Sequence, residues 1–194
     1  MIVILTPETN VLNECRHINE LMHTGNHILH IRKYGMNDDE IKVYIEGINS
    51  SFHKRLVLHS HFHLAAEMGI GRLHFKEEHR LRDLHKEYIG NYTLSTSVHT
   101  VDDFNALPAY WSYAFLSPVF PSISKQGYGR ERNVLEQLKR KNNPSVQLIG
   151  LGGIDTNNCL SVYKEGADGI AVLGALWKNA QPCKSLLQIM KSLT

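Results

Sequence analysis

Short runs of β-branched and aliphatic residues recur along this chain, each followed by a stretch with helical spacing, and that alternation limits the fold more than any other feature. "IVIL" (2–5) leads into apolar residues at Val11, Cys15, Ile18 and Met22, one face of a helix stopped near Gly25. "HILHIRK" leads into "MNDDEIKVYIEGI", where Asn37 or Asp38 is placed to cap a helix; "RLVLH" leads into "HLAAEMG", and "GRLHF" into a charged segment from Glu77 to Glu87. The second half keeps the rhythm: "YTLSTSVH" and "VDDFNALP", "YAFLSPVF" and "RERNVLEQLKRK", "VQLIGLGGI" and "TNNCLSVYKEG", "GIAVLGA" and "CKSLLQIMKSL". Eight such units without a Pro/Gly-rich linker predict the α/β class, as a compact single-domain (β/α)8 TIM barrel over residues 1–194. Spacing alone also allows an open doubly wound sheet, because periodicity does not report closure.

A chain of 194 residues with 42% hydrophobic content matches one core. Its apolar runs are far shorter than the roughly 20 residues of a membrane span, and "MIVILTPET" has no basic leader or small-residue cleavage site. The expectation is a soluble, cytoplasmic protein with no membrane partner. Cys15, Cys159 and Cys183 are odd in number and far apart, which predicts reduced thiols and no disulfide framework. The formal charge of +2, with acids and bases interspersed, provides no basic stripe for nucleic acid. Anionic ligands must be bound locally.

In a parallel barrel the chemistry sits where each strand stops. Those positions carry His30, Arg32 and Lys33; His59, Ser60 and His61; His74; Ser95, Ser97 and His99; Ser117, then Ser122, Ser124 and Lys125; Gly152 and Gly153; and Gly174. "GLGGI" and "VLGA" follow the last two strands and run into helices. Backbone N–H groups at such junctions suit a phosphate. "PVFPSISKQGYGR" (118–130) is the longest polar connection and suits a loop that closes over an anion. "HSHFH" (59–63) admits three readings: a metal site, an acid/base site, or imidazoles that hydrogen-bond strand ends. If the strand continued, His59, His61 and His63 would share a face, and His74 or His79 could add a ligand.

Taken together, "HIRK", "LVLHSHFHLAAEMGIGRLHF", "LSTSVHT", "FLSPVFPSISKQGYG", "LIGLGGI" and "GADGIAVLGAL" resemble the thiamine phosphate synthase and thiazole tautomerase family from about Ile2 to Trp177. The resemblance implies coupling of hydroxymethylpyrimidine diphosphate to thiazole phosphate, with pyrophosphate released after the C–O bond ionises. Carried over by position, Arg32, Ser97 and Lys125 would hold the diphosphate, while Ser122, Ser124, Gly152 and Gly174, with Gly153 beside them, would face the thiazole phosphate. His30 stands where the family has a glutamine directed at the pyrimidine. The chain departs from the family at its Mg²⁺ site: His59 and Ser60 occupy an Asn-Asp pair, and His79 occupies the second aspartate position. Mg²⁺ prefers carboxylate and phosphate oxygens, so Mg²⁺ is implied while its protein ligands are replaced. Tyr34 takes the place of a family lysine and Lys33 lies one position early; Arg32, Lys33 and Lys125, with a protonated His59 or His79, would then neutralise the diphosphate, more tightly as pH falls from about 8 to 6. The tautomerase relative's loop histidine is Pro118 here, leaving His99 or His59 as acid/base candidates. A synthase is expected first; the alternatives are a thiazole-phosphate isomerase, a non-catalytic thiazole-phosphate-binding protein and a His-ligated metal enzyme. The resemblance also implies a homodimer.

Overall fold

The computed structural model describes residues 1–121 and 134–194. Its eight parallel strands are β1 (Ile2–Leu5), β2 (Ile28–Ile31), β3 (Leu56–Leu58), β4 (Arg72–Phe75), β5 (Thr93–Val98), β6 (Trp111–Leu116), β7 (Gln147–Leu151) and β8 (Gly169–Val172). They pair in chain order, and β1 closes on β8 through Ile2↔Ile170, Val3↔Ala171 and Ile4↔Val172. The alternation in the sequence therefore resolves as a closed barrel, not an open sheet.

Around it lie α1 (Glu14–His23), α2 (Asp38–Glu46), α3 (Glu77–Leu81), α4 (Val101–Asn105), α5 (Cys159–Lys164), α6 (Gly174–Trp177) and α7 (Pro182–Ser192). Asn37 caps α2 in a reciprocal box: its side chain accepts from the Glu40 N–H at 2.9 Å, and the Glu40 carboxylate accepts from the Asn37 N–H at 2.8 Å, an arrangement worth about 1 kcal/mol. The helix expected in "HLAAEMG" is a single 3₁₀ turn, Phe62–Leu64. Left-handed backbone bounds the segment, with φ of 55° at His61 and 67° at Gly69. The described part of "RERNVLEQLKRK" likewise forms a 3₁₀ turn, Leu135–Arg140. Among the described residues, no helix is long and apolar enough to cross a membrane.

Strand alternation sorts the core into two layers. Ile4 and Leu29 pack outward with Ile18, Leu21, Ile45 and Leu186, while Val3, Leu5, Tyr113, Phe115, Ile149 and Ala171 fill the barrel interior. On β2, β4 and β5 the inward layer is polar instead: His30, His74 and Ser95 are at most 1% exposed. One side of the interior is thus aliphatic and aromatic, and the other carries imidazoles and a hydroxyl. Buried polar groups are costly unless hydrogen-bonded, so those side chains must satisfy one another.

Candidate active site

A cavity of about 240 Å³ opens at the C-terminal ends of the strands. Its polar wall comes from the β2–β5 side: Arg32 and Tyr34 follow β2, His59 follows β3, His74 and Lys76 end β4, and Ser97 lies on β5. Leu5, Phe115, Leu151 and Leu173 supply the apolar wall, and Gly152, Gly153 and Gly174 form the backbone rim across from the cations. Arg32 and Lys76 are its charged lining residues, and no carboxylate lines it among the described residues. The cavity therefore favours anions. Arg32 is paired with Glu8, which stands half exposed at the edge; a bound anion would compete for that guanidinium. The Lys76 ammonium lies 3.9 Å above the Tyr34 ring centroid, a cation–π contact that holds it over the opening.

The glycine rim has a backbone reason. Gly152 has φ 107° and Gly153 φ 62°, conformations that side-chain-bearing residues avoid. A Cβ on Gly152 would meet Pro118 Cα at 3.0 Å, and one on Gly153 would overlap the Pro121 carbonyl oxygen and approach Phe120 Cβ at 2.7 Å. The N–H groups of Val119 and Phe120 donate to the Leu151 and Gly152 carbonyls at 2.9 and 3.1 Å, so the chain leaving β6 is stitched onto the turn leaving β7.

His30, His59 and His74 form one buried cluster, 0%, 4% and 1% exposed. Tyr34 Oη lies 3.0 Å from His59 Nδ1, His59 Nε2 lies 2.7 Å from His30 Nδ1, and His30 Nε2 lies 2.7 Å from Tyr113 Oη. His74 stacks on His59 with ring centroids 4.2 Å apart, and its nitrogens lie 2.9 and 3.0 Å from the Ser95 and Ser97 hydroxyls. The Ser95 hydroxyl donates to the Leu73 carbonyl at 3.2 Å, so its oxygen accepts from His74 Nδ1–H and leaves Nε2 to accept from Ser97. Burial drives the His30 and His59 pKa values well below 6.5, helped by the neighbouring His74 and Arg32. Burial, then Arg32, drives His74 down to about 3. All three rings are neutral near pH 7. The protonated His59 expected from the sequence is corrected here: a charge on that ring would be desolvated among two other imidazoles and the cations of Arg32 and Lys76. His79 is also depressed, by burial first, and does not line the cavity.

Neither metal reading fits these residues. Mg²⁺ needs oxygen ligands with charge, yet Ser60 Oγ sits 2.8 Å from the His61 ring and His79 faces Glu78. The proposed His59, His61 and His63 face does not exist, because β3 ends at Leu58 and His61 turns away to the Met36 carbonyl at 2.8 Å while His63 reaches Asp38 at 2.9 Å. The candidate ligand nitrogens of His30, His59 and His74 lie within 4.8 Å of one another. Their lone pairs are directed at hydrogen-bond partners, and the 2.7 Å separation between His30 and His59 is that of a shared proton.

Other sequence expectations divide. Arg32, Ser97, His59, Gly152, Gly153 and Gly174 line the cavity. His30 does not; it stands one layer deeper, behind His59 and His74. Lys33 is a correction: its side chain is fully buried, paired with Glu14 at 2.8 Å and donating to the Thr9 carbonyl at 2.9 Å, away from the cavity. His99 Nδ1–H donates to the Ser117 carbonyl, 2.8 Å away, outside the cavity lining. Ser122, Ser124 and Lys125 lie outside the described residues. Lys76 and Tyr113 were not singled out from sequence. Lys76 lies just past a strand end and was open to the same positional rule; Tyr113 lies mid-strand and offered no signal.

A closed parallel barrel whose mouth sets cations opposite glycine turns defines the class: a TIM barrel with a cation-lined, glycine-rimmed cavity at its C-terminal face. The thiamine monophosphate synthase family model matches residues 1–176, and the chain belongs to that family. It is 28% identical over 141 residues to the thiamine-phosphate synthase of Bacillus licheniformis, a match that covers 71% of this chain and 62% of the relative. The chain thus spans about three fifths of the length of the curated relatives it matches, such as that of Listeria innocua at 62%. Thiamine phosphate pyrophosphorylase from Pyrococcus furiosus superposes with a TM-score of 0.81 at 18% identity, covering 99% of this chain and 94% of that one. The protein of the same description from Bacteroides thetaiotaomicron superposes with a TM-score of 0.78 at 23% identity, covering 98% and 96%. These likenesses establish a shared fold.

Proposed function

We propose that this chain joins the pyrimidine of hydroxymethylpyrimidine diphosphate to the nitrogen of a thiazole phosphate and releases pyrophosphate. One observation carries the reading: a single cavity pairs the cations Arg32 and Lys76 with an opposed glycine rim, a place for each of two anions. The glycine rim receives the thiazole phosphate through backbone N–H groups. Arg32 and Lys76 stabilise the leaving diphosphate, and Phe115 and Leu5 exclude water from the cation left behind. No step is assigned to Mg²⁺. The test is thiamine phosphate formation from both substrates by the purified chain, with Mg²⁺ or with EDTA. No product, under conditions where calorimetry still detects thiazole phosphate binding, would overturn the coupling reaction. Lys76→Met should weaken pyrophosphate binding about tenfold, or roughly 1.4 kcal/mol, while thiazole phosphate binding stays unchanged.

A second reading, a thiazole-phosphate isomerase, is favoured by a different observation. Tyr34 and the neutral imidazoles of His59 and His74 stand on the cavity wall, where proton transfer requires them and diphosphate departure does not.

A further inference from the structure

Away from the mouth, another cavity of about 230 Å³ lies on the flank of the barrel, between α3 and the chain that leads from α4 into β6. Trp111 opens β6, packs in the outer core layer and forms part of the cavity wall. Phe115, further along the same strand, lines the mouth, so the two cavities stand about 13 Å apart along β6. Three donors on the flank wall are left over. Trp111 Nε1, His85 Nδ1 and Arg80 Nε are buried, and none has a hydrogen-bond partner among the described residues. The other atoms of these groups are engaged: His85 Nε2 lies 3.0 Å from Tyr110 Oη, and Arg80 donates to Glu77 Oε1 at 3.3 Å. Burial holds the His85 pKa below 6.5 against the pull of Asp83, so the ring is neutral near pH 7. With the Tyr110 hydroxyl donating to Nε2, its proton sits on Nδ1. A buried donor without an acceptor is costly, and three beside one cavity call for a ligand that brings acceptors.

The rim of this cavity has the opposite character. Asp83 and Asp103 are exposed lining residues that meet Lys86 at 2.8 Å and Thr100 at 2.6 Å through Oδ2, which leaves Oδ1 of each carboxylate for a ligand. Set against the single charge of Arg80, they make the lining net negative and disfavour a simple anion such as phosphate. Donors inside and carboxylates outside suit a molecule that carries both charges.

We propose that the flank cavity binds a small zwitterion, an α-amino acid with a short apolar side chain, whose carboxylate accepts from Arg80, His85 and Trp111 while its ammonium faces Asp83 and Asp103. Charge-assisted hydrogen bonds then replace the missing partners of all three donors. The apolar side chain lies against Leu107 and Pro108, which complete the lining. Entry is past Tyr110. That ring is 39% exposed, whereas His85 and Trp111 are 2% and 0% exposed, and its centroid lies 5.6 Å from that of His85 and 5.5 Å from that of Trp111. Swinging Tyr110 outward uncovers both nitrogens, which the side chains otherwise close off from solvent.

The chain's two tryptophans report on the two cavities separately. Trp177 Nε1–H donates at 2.7 Å to the carbonyl of Leu5, a residue of the mouth, whereas Trp111 belongs to the flank. The experiment records both indole signals in ¹H–¹⁵N spectra, assigned with Trp177→Phe, beside calorimetry. The probes are L-valine, its carboxylate-only and amine-only analogues isovalerate and isobutylamine, and inorganic phosphate. L-Valine should shift the Trp111 signal saturably and leave Trp177 in place, with each analogue bound at least about tenfold more weakly. Arg80→Met should weaken valine and isovalerate about tenfold, and Asp103→Asn valine alone, while pyrophosphate affinity at the mouth stays within about twofold of wild type in both. A Trp111 signal unmoved by valine up to about 10 mM would overturn the proposal. A shift at Trp177 in place of Trp111 would overturn it too, by putting the amino acid in the mouth, and so would phosphate that binds as tightly as valine. Undiminished valine affinity in both folded variants would overturn the assignment of these residues.

Discussion

Replacing Lys33 separates a structural lysine from a substrate-binding one. Its ammonium lies 2.8 Å from Glu14 Oε2 with the two side chains 0% and 4% exposed. Glu14 also accepts from Tyr44 Oη at 2.8 Å and from the Val11 N–H at 3.0 Å, and the ammonium lies 5.3 Å over the Tyr44 ring. At an effective dielectric of about 20, charges 2.8 Å apart attract by about 6 kcal/mol, most of which offsets the desolvation of both ions. Lys33→Met removes the attraction and leaves the Glu14 carboxylate buried, a loss of roughly 3–5 kcal/mol. For a chain of this size that corresponds to a fall in Tm of roughly 6–20 °C. Adding Glu14→Gln removes the stranded charge while keeping an acceptor for Tyr44, and should bring the double variant to within about 2 kcal/mol of wild type. The assay is urea denaturation of wild type, both single variants and the double variant, beside calorimetry with thiazole phosphate and pyrophosphate. Affinities of the folded variants should agree within about twofold. A Lys33→Met protein of undiminished stability with weakened pyrophosphate binding would refute the reasoning and return Lys33 to the ligand site.

Stability should fall in acid because of the imidazole cluster. The folded pKa of His74, about 3, lies below its ordinary 6.5, so the unfolded chain takes up a proton first. The stabilisation is complete above about pH 6.5 and is lost toward pH 3 at about 1.4 kcal/mol per pH unit, with His30 and His59 acting in the same direction. Urea midpoints from pH 7.5 to 5 should decline in wild type and less steeply in His74→Gln; a flat wild-type profile would contradict neutral burial. Gly153→Ala forces a Cβ against Pro121 and Phe120 at φ 62°. It should cost about 1–3 kcal/mol in denaturant unfolding, and an unchanged midpoint would show that the turn relaxes freely.

Much of the architecture is readable without coordinates. Alternation along each strand and the capping pattern at Asn37 are local properties: period-2 and period-3.6 spacing, and a side chain reaching a backbone N–H three residues away. The strand-end rule then singles out Arg32, His59, Ser97 and the paired glycines, and all of them line the cavity. Spacing failed after β3, where a helical pattern folds as one 3₁₀ turn in a segment bounded by left-handed backbone at His61 and Gly69. It also failed at Lys33, whose identity fits an anion clamp until α1 brings Glu14 beneath it. The buried hydrogen-bonded chain lies wholly beyond local pattern: Tyr34, His59, His30 and Tyr113 meet across 83 residues of chain only because β2, β3 and β6 curve around one axis. Sequence determines which face of a strand a side chain takes. Barrel closure determines which faces meet, and with them whether an imidazole is charged in water or neutral in a buried network.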